Sequence, residues 1–220
     1  MNQRLEKKLI VVSYSSNCIY LLVDPIAKVL MLATEWDEGT MDPTGWTMTE
    51  KYDGMRLYWN GSDFYSRQGA IIQVPEFIKN QMPKESLDGE LWTQYGLYQD
   101  AVNLCKRLDD EKWKKAVFWV FDMPDKEEKV FEERMKELEK QGNLPSFVNI
   151  VETVKCEGKQ HLKEYFSSIV AKGGEGVMLR DPQSLYKSGR SEYMRKYKPF
   201  ADTEVKVVEN NYPHGFNCVQ

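Results

Sequence analysis

Long apolar segments, clustered cysteines and an excess of positive charge are all missing from this chain of 220 residues. Its two most apolar stretches, 9–12 and 19–23, are separated by polar residues and fall short of the roughly 18 consecutive apolar residues that a membrane span requires. The four cysteines show no CxxC spacing, and only two histidines accompany them, which excludes a recognisable zinc or disulfide framework. The sequence therefore predicts a soluble protein of a reducing, intracellular compartment, either the nucleus or the cytoplasm.

The charge balance excludes binding of nucleic acid by bulk positive charge. Lys and Arg number 30 against 34 Asp and Glu, which gives a net charge of −4, whereas proteins that hold polyanions through their overall charge are basic. Any site for a polyanion must then be a local patch. With 41% hydrophobic and 29% charged residues the composition is that of an ordinary globular protein, and the length fits one large domain or two small ones.

Strand and helix patterns alternate along the chain without a repeat period. Residues 47–66 predict three strands joined by an Asp53-Gly54 turn and an Asn60-Gly61 hairpin, as an antiparallel meander. Further strands are predicted at 86–92, 116–121, 176–180, 193–198 and 203–208, and helices at 78–82, 97–113, 126–141 and 161–172. Hairpins and helix-separated strands together favour an α+β fold with mixed, largely antiparallel sheets flanked by helices.

Charged residues fall inside or at the ends of several predicted strands, where burial is costly unless a ligand or partner compensates. These stretches are 50–56, 66–69, 87–91, 175–180 and 193–198. Taken singly, each has an ordinary structural explanation: strand lysines protect sheet edges, Asp-Gly pairs form turns, and an isolated Lys-x-Asp-Gly occurs by chance. Their order along one chain is what indicates a shared site.

Lys51 is the candidate nucleophile of that site. An amine attacks only when it is unprotonated, so the pKa of the lysine must fall from its solution value of ~10.4. Arg56, Lys196 and Lys198, or a divalent metal, would lower it if the fold brings them close, and the same charges would neutralise a triphosphate. Because side chains alternate along a strand, Lys196 and Lys198 are predicted to share a face and to reach one phosphate cluster.

Two glutamates supply the oxygen ligands that this chemistry needs. Glu90 suits a ribose hydroxyl and Glu175 suits magnesium, because Mg²⁺ prefers carboxylate, phosphate and water oxygens. Glu175, with Glu90 beside it, is therefore the predicted metal position.

In this order the elements resemble the covalent nucleotidyltransferases, the superfamily of ATP-dependent DNA ligases, RNA ligases and messenger RNA capping enzymes. The sequence Lys51-Tyr-Asp-Gly-Met-Arg56 looks like the first motif of that superfamily, and the resemblance implies that Lys51 forms a phosphoramidate bond to AMP. It also implies that Asp53 and Arg56 shape the site and contact the nucleotide or the nicked strand, and that Glu50 belongs to the nucleotide-binding residues.

The motifs that follow extend the resemblance through the middle of the chain. The stretch 66–69 implies that Arg67 lies against phosphate, and Asp-Gly-Glu at 88–90 implies that Glu90 holds the nucleotide ribose. The stretch 118–122 implies that Phe121 stacks on adenine, and an ordinary core position for this ring is equally open.

Two late motifs complete the set. Glu-Gly-Val-Met at 175–178 resembles the motif whose glutamate acts on the metal, and Lys-Tyr-Lys at 196–198 resembles the motif in which both lysines face phosphates. The small, minimal ATP-dependent DNA ligases of bacterial type are what four stretches together resemble most, namely 42–46, 57–61, 66–69 and 87–92. The resemblance covers roughly residues 30 to 208 and implies an adenylation domain of ATP-grasp-like fold.

The resemblance divides the chain into an N-terminal lead-in at 1–29, the adenylation domain at 30–200, and the start of an oligonucleotide-binding (OB) domain at 201–220. Family members follow the last lysine motif with a complete OB barrel, which needs far more than the residues after 200. We expect at most the first strand of that barrel, at 203–208. The chain is then a fragment, a truncated homologue, or a member that lost the barrel, and a separate OB domain or chain is a candidate partner.

The implied function is that of a monomeric DNA ligase with roles in DNA repair, replication and recombination. Lys51 would attack ATP with Mg²⁺, AMP would pass to the 5′-phosphate of nicked double-stranded DNA, and the 3′-hydroxyl would displace it. An RNA ligase uses the same covalent step on a different acceptor. Two other hypotheses remain: a catalytically idle nucleotide- or DNA-binding remnant, and a guanylyltransferase of the capping type.

Overall fold

The computed structural model describes residues 30–108, 111–142 and 144–199. Within these ranges the chain forms eleven strands and four α-helices. The strands are β1 Met31–Glu35, β2 Thr47–Lys51, β3 Met55–Trp59, β4 Phe64–Ser66, β5 Ile71–Ile72, β6 Leu87–Trp92, β7 Val117–Asp122, β8 Val148–Ile150, β9 Val154–Lys155, β10 Gly176–Arg180 and β11 Gly189–Tyr197. The helices are α1 Glu76–Lys79, α2 Tyr98–Leu104, α3 Phe131–Glu139 and α4 Lys159–Ala171.

The strands form two sheets. One has five strands in the order β1-β11-β10-β2-β9, and the other has six in the order β5-β4-β3-β6-β7-β8. Two of the pairings, β1 with β11 and β7 with β8, are parallel, and the others are antiparallel. The predicted α+β class with mixed, largely antiparallel sheets is confirmed.

The predicted meander over 47–66 is wrong in one respect. β3, β4 and β5 do form an antiparallel series, but β2 pairs with β10 and β9 in the other sheet. The Asp53-Gly54 segment is therefore a crossing between two sheets rather than a hairpin turn. As a consequence, Lys51 at the end of β2 and Arg56 in β3 stand on facing sheets.

Each sheet buries one face against helices. The larger core lies under the six-stranded sheet, where Phe118 and Val120 of β7 contact the buried face of α3, including Leu138. The smaller core lies under the five-stranded sheet, where Val177 and Leu179 pack against α4. Alternating side chains account for this arrangement, since successive residues of β7 are in turn half-buried and buried.

Two of the helices are shorter than their sequence patterns predict. The pattern over 97–113 gives only α2 and a separate 3₁₀ turn at Glu111–Lys114, and Leu108 between them is 52% exposed rather than part of an apolar helix face. The pattern over 126–141 gives a 3₁₀ turn at Pro124–Lys126 before α3 begins. The lead-in at 1–29 and the predicted strand at 203–208 lie outside the described residues, and none of the described helices has the length and apolar content to span a bilayer.

Candidate active site

A cavity of about 520 Å³ opens between the two sheets. Its walls come from β1, β2, β10 and β11 on one side and from β3, β6 and β7 on the other, and α2 borders it. Seven of the ten residues predicted from the sequence line it: Glu50, Lys51, Arg56, Arg67, Glu90, Phe121 and Lys196. Residues separated by as many as 146 positions are therefore brought to one space, as the order of the charged stretches predicts.

Lys51 ends β2 and stands opposite Gly176 of β10. Its Nζ donates a hydrogen bond to Glu175 Oε2, and the two side chains are 23% and 27% exposed. The direct ionic partner of the candidate nucleophile is thus a carboxylate, while Arg56 and Lys196 are further cavity-lining cations. Glu175 reaches Lys51 because it immediately precedes β10, the strand paired with β2.

Arg56 is fixed by several contacts at once. Its Nε and Nη2 donate to the two oxygens of Asp88 at 2.9 and 2.7 Å, and Nη2 also donates to the backbone oxygen of Met31 at 2.8 Å. The guanidinium carbon lies 5.3 Å from the centre of the Phe121 ring. Burial lowers the pKa of Arg56, but the adjoining carboxylate of Asp88 outweighs it and raises the pKa, so this cation stays charged.

Glu90, a half-buried residue of β6, presents its carboxyl to the same cavity. Burial raises its pKa to about 8, although the positive charges of Lys51 and Arg56 act in the opposite direction. Near neutral pH the group therefore holds a proton for much of the time and can both donate and accept a hydrogen bond. A protonated carboxyl suits a ribose hydroxyl better than it suits Mg²⁺.

The three predicted residues outside the cavity lining have different positions. Glu175 contacts Lys51 directly. Burial and the charge of Glu175 raise the pKa of Asp53, which places Asp53 in the same electrostatic neighbourhood. Lys198 follows the last residue of β11 and is exposed, so strand alternation does not extend to it, and its contact with phosphate stays a prediction. Lys196 instead pairs with Glu35 at 2.8 Å.

An aromatic cluster beside Lys51 is not predicted from the sequence. The Tyr52 ring stacks on Trp119 with centroids 4.6 Å apart and meets Trp92 edge-on at 5.6 Å. Alternation along β6 and β7 was the available signal, since Trp92 and Trp119 lie on the same sheet face as Glu90 and Phe121. This cluster supports the backbone that carries Lys51.

Two other carboxyl groups, one in the cavity lining and one buried behind Arg56, have features that the sequence does not predict. Glu50 has a buried Oε1 without a hydrogen-bond partner among the described residues, and burial raises the pKa of this carboxyl. Asp88, which holds Arg56, accepts a further hydrogen bond from Tyr186 at 3.1 Å. The segment that contains Tyr186 has neither helical nor strand periodicity, and for that reason this contact could not be predicted from local patterns.

Comparison with protein families and solved structures identifies the family and the fold. The profile of the family described as "ATP dependent DNA ligase domain" matches residues 30–198. A curated DNA ligase of Haemophilus influenzae (strain ATCC 51907 / DSM 11121 / KW20 / Rd) is 31% identical over 173 residues, which are 78% of this chain and 64% of the relative. The chain thus spans somewhat less than two thirds of the length of that relative.

Solved structures share the fold. The structure described as "DNA binding with a minimal scaffold: Structure-function analysis of Lig E DNA ligases" superposes with a TM-score of 0.74 at 28% identity, over 82% of this chain and 72% of that one. Chlorella virus DNA ligase-adenylate gives a TM-score of 0.63 at 21% identity, over 81% and 71% of the two chains. The bacteriophage T7 ATP-dependent DNA ligase in complex with ATP gives 0.59 at 18% identity, over 80% and 70%.

Proposed function

The chain belongs to the family of ATP-dependent DNA ligase domains, and from this premise we propose that it is the adenylation domain of a DNA ligase in which Lys51 takes AMP covalently from ATP. The observation that carries the proposal is the position of Lys51, which ends β2 at a cavity lined by Arg56, Glu90 and Lys196 and pairs with Glu175. A nucleophile, cations for phosphate and a carboxylate for the proton are the groups that attack at phosphorus requires.

In the proposed step Lys51 Nζ forms a bond to the α-phosphorus of ATP, and the bond from that phosphorus to the bridging oxygen of pyrophosphate breaks. The ammonium must lose one proton before attack and a second as the N–P bond forms. Glu175 Oε2 already accepts a hydrogen bond from Nζ and is positioned to relay the first proton to solvent, so that it remains a carboxylate, and the second proton also passes to solvent. Arg56 and Lys196 stabilise the negative charge on the phosphates.

The carboxylates around Lys51 fit a magnesium ion. Mg²⁺ is commonly held by one or two carboxylates together with substrate phosphates and water, and the negative charge of Glu175 already raises the pKa of both Asp53 and Glu90, after the effect of burial. A cation at this place would relieve that repulsion. We assign Glu175 as the main protein ligand and Glu90 as a weaker one; when bound, Mg²⁺ would neutralise charge on the phosphates.

The family description supports ATP as the nucleotide, because the profile that matches residues 30–198 is that of an ATP-dependent ligase domain. A capping-type guanylyltransferase is therefore disfavoured. Glu50 stays a proposed nucleotide-binding residue because it lines the cavity. Its carboxyl does not decide the choice of base, since it shares a hydrogen bond with Tyr95 and its Oε1 lies 3.1 Å from the place of an added Cβ on Gly174, a residue outside the cavity lining.

The later steps extend the proposal to DNA. AMP would pass from Lys51 to the 5′-phosphate at a nick, forming a diphosphate bond, and the 3′-hydroxyl would attack that phosphate and release AMP. We propose nicked double-stranded DNA as the acceptor and a monomer as the acting form. A DNA ligase of Haemophilus influenzae is the curated relative that supports DNA over RNA.

The covalent step is tested by incubating the protein with α-labelled ATP and Mg²⁺ and separating it by denaturing electrophoresis. We expect label on the chain that is lost in Lys51→Ala and absent with α-labelled GTP. The assay is run on the chain alone and on the chain extended by an OB domain, and nicked DNA is compared with nicked RNA as the acceptor. We expect circular dichroism to show that Lys51→Ala is folded, because the side chain is 23% exposed at the open cavity and its truncation leaves no sealed void.

The outcomes separate the rival functions. If neither the chain alone nor the chain extended by an OB domain is labelled, although ATP binds, the proposal is contradicted and a catalytically idle nucleotide-binding module is supported. Label followed by sealing of RNA but not of DNA identifies an RNA ligase. Lys140→Ala is the matched control, since this lysine follows α3 on an outer surface and its loss leaves labelling unchanged.

A further inference from the structure

A closed circuit of hydrogen bonds surrounds Arg56. The backbone N–H of Met31 donates to the Tyr186 hydroxyl at 3.1 Å, and that hydroxyl donates to Asp88 Oδ2 at 3.1 Å. Asp88 accepts one hydrogen bond from Arg56 Nε and one from Arg56 Nη2. Arg56 Nη2 also donates to the backbone oxygen of Met31, which closes the ring. Four residues from β1, β3, β6 and the segment before β11 are thus joined in one ring of hydrogen bonds.

We propose that Tyr186 is a positioning residue for Arg56, acting through Asp88 to hold the guanidinium toward the nucleotide cavity. This inference rests on the proposed function for its consequence in catalysis, but the positioning itself is a property of the fold. Tyr186 does not line the cavity, whereas Arg56 does, so the tyrosine acts on the reaction only through its neighbour.

The hydroxyl is the part of Tyr186 that matters for this role. Tyr186 is 7% exposed and Asp88 is fully buried, so water cannot readily replace a lost hydroxyl. Without it, Arg56 is the one side-chain partner that Asp88 Oδ2 keeps within the described part of the chain, and the Met31 N–H loses its acceptor. A carboxylate with one fewer donor has more rotational freedom, and the guanidinium that it holds moves with it.

The ring of Tyr186 has a separate structural role. The guanidinium carbon of Arg134 lies 5.5 Å from the ring centre, and the ring packs with Met31 and Met194. Tyr186→Phe retains these contacts and removes only the hydroxyl. Tyr58→Phe is the matched control, because Tyr58 in β3 is buried like Tyr186 and its hydroxyl bonds Ser86 rather than Asp88.

The first measurement does not depend on activity. The Arg56 Nε–H signal in a ¹H–¹⁵N spectrum is assigned by its disappearance in Arg56→Lys, and its exchange with solvent is measured. In Tyr186→Phe we expect exchange about tenfold faster, the factor that corresponds to roughly 1.4 kcal/mol of lost interaction, and no change in Tyr58→Phe. An unchanged Arg56 signal in Tyr186→Phe overturns the positioning role.

The second measurement asks whether Tyr186 affects the reaction through Arg56. The rate of Lys51 labelling is compared for the wild type, Tyr186→Phe, Arg56→Ala and the double variant, below the melting temperature of each. We expect Tyr186→Phe to slow labelling about tenfold in the wild-type background and to have no further effect when Arg56 is absent. Equal slowing in both backgrounds contradicts action through Arg56.

The two measurements also separate this inference from the proposed function. Altered exchange of the Arg56 signal without any Lys51 label in the wild type upholds the positioning role and rejects the ligase chemistry. Normal Lys51 labelling in the wild type, together with an Arg56 signal that is unchanged in Tyr186→Phe, supports the ligase chemistry and rejects the positioning role.

Discussion

Protonation of Glu90 shows how a single residue in this cavity is tuned by its surroundings. The carboxyl lies opposite Arg56 on the neighbouring strand, yet burial has the larger effect and raises its pKa to about 8. A carboxyl in water at neutral pH would be an anion, and an anion here would bind Arg56 or Lys51 and compete with phosphate for them. A carboxyl that keeps its proton leaves both cations available to the nucleotide.

This protonation predicts a particular dependence of stability on pH. The pKa of Glu90 rises from 4.5 in the unfolded chain to about 8 in the fold, so between these values the folded state binds the extra proton. Stability from this group is therefore complete below about pH 4.5 and falls as pH rises to 8. Glu90→Gln keeps the shape and removes the titration, so we expect its unfolding free energy, measured in urea, to exceed that of the wild type by a few kcal/mol at pH 8.

At pH 5 the two proteins should be nearly equal in stability, because the wild-type carboxyl is then protonated and resembles the amide. Glu76→Gln, which alters a carboxyl at the start of the short helix α1, controls for the general effect of removing one negative charge. A constant difference between Glu90→Gln and the wild type across this pH range would rule out a raised pKa for Glu90.

At the scale of the elements, the crossing from β2 to β3 depends on a close approach. A Cβ added to Gly54 would lie 2.2 Å from the backbone oxygen of Leu91, and Leu91 is the partner of Met55 in the β3–β6 ladder. The glycine is thus required by contact between backbones, not by the turn conformation that the Asp-Gly pair predicts. This contact sets how near the Lys51 segment lies to the sheet that carries Glu90.

Gly54→Ala is accordingly expected to destabilise the protein by at least about 2 kcal/mol, because the methyl group must push β3 away from β6. Urea unfolding gives the free energy, and the Lys51 labelling rate should fall as well, since Arg56 moves with β3. Gly142→Ala is the control: its added Cβ has only the oxygen of Lys140 within 4.0 Å, and we expect unchanged stability. A stable, fully active Gly54→Ala would show that β3 and β6 tolerate separation here.

Which elements can be predicted from the sequence depends on how far apart in the chain the interacting residues lie. Strands such as β3, β6, β7 and β10 are encoded by short local runs of strand-forming residues between turn signals and end near their predicted bounds. The assignment of β2 to the other sheet is encoded by its pairing with β10, more than a hundred residues later, which local patterns do not contain. For the site, charge at strand ends indicated Lys51, but Tyr186 acts through a contact across 98 positions and left no local pattern.

For the molecule as a whole, buried charge joins the two sheets beneath the cavity. Asp122 of β7 is fully buried and forms ion pairs with Arg134 of α3 at 2.6 Å and with Arg180 of β10 at 3.0 Å. Both guanidinium groups also lie against the ring of Phe131, at 5.6 and 4.8 Å from its centre. One carboxylate therefore connects the six-stranded sheet, its covering helix and the five-stranded sheet, and the relative position of the two cavity walls depends on it.

Replacing that carboxylate should weaken the whole fold rather than one element. Asp122→Asn has nearly the same shape but leaves two buried cations without a counter-charge, and removing one partner of a buried pair costs about 3–5 kcal/mol. We expect a loss of this size in urea unfolding, with a single cooperative transition followed by both far-ultraviolet circular dichroism and tryptophan fluorescence. Glu38→Gln, which removes the exposed partner of Lys163, should leave stability unchanged, because exposed ion pairs contribute little. Separate transitions for the two probes in Asp122→Asn would mean that the sheets unfold independently, and that contacts other than this carboxylate hold the cavity walls together.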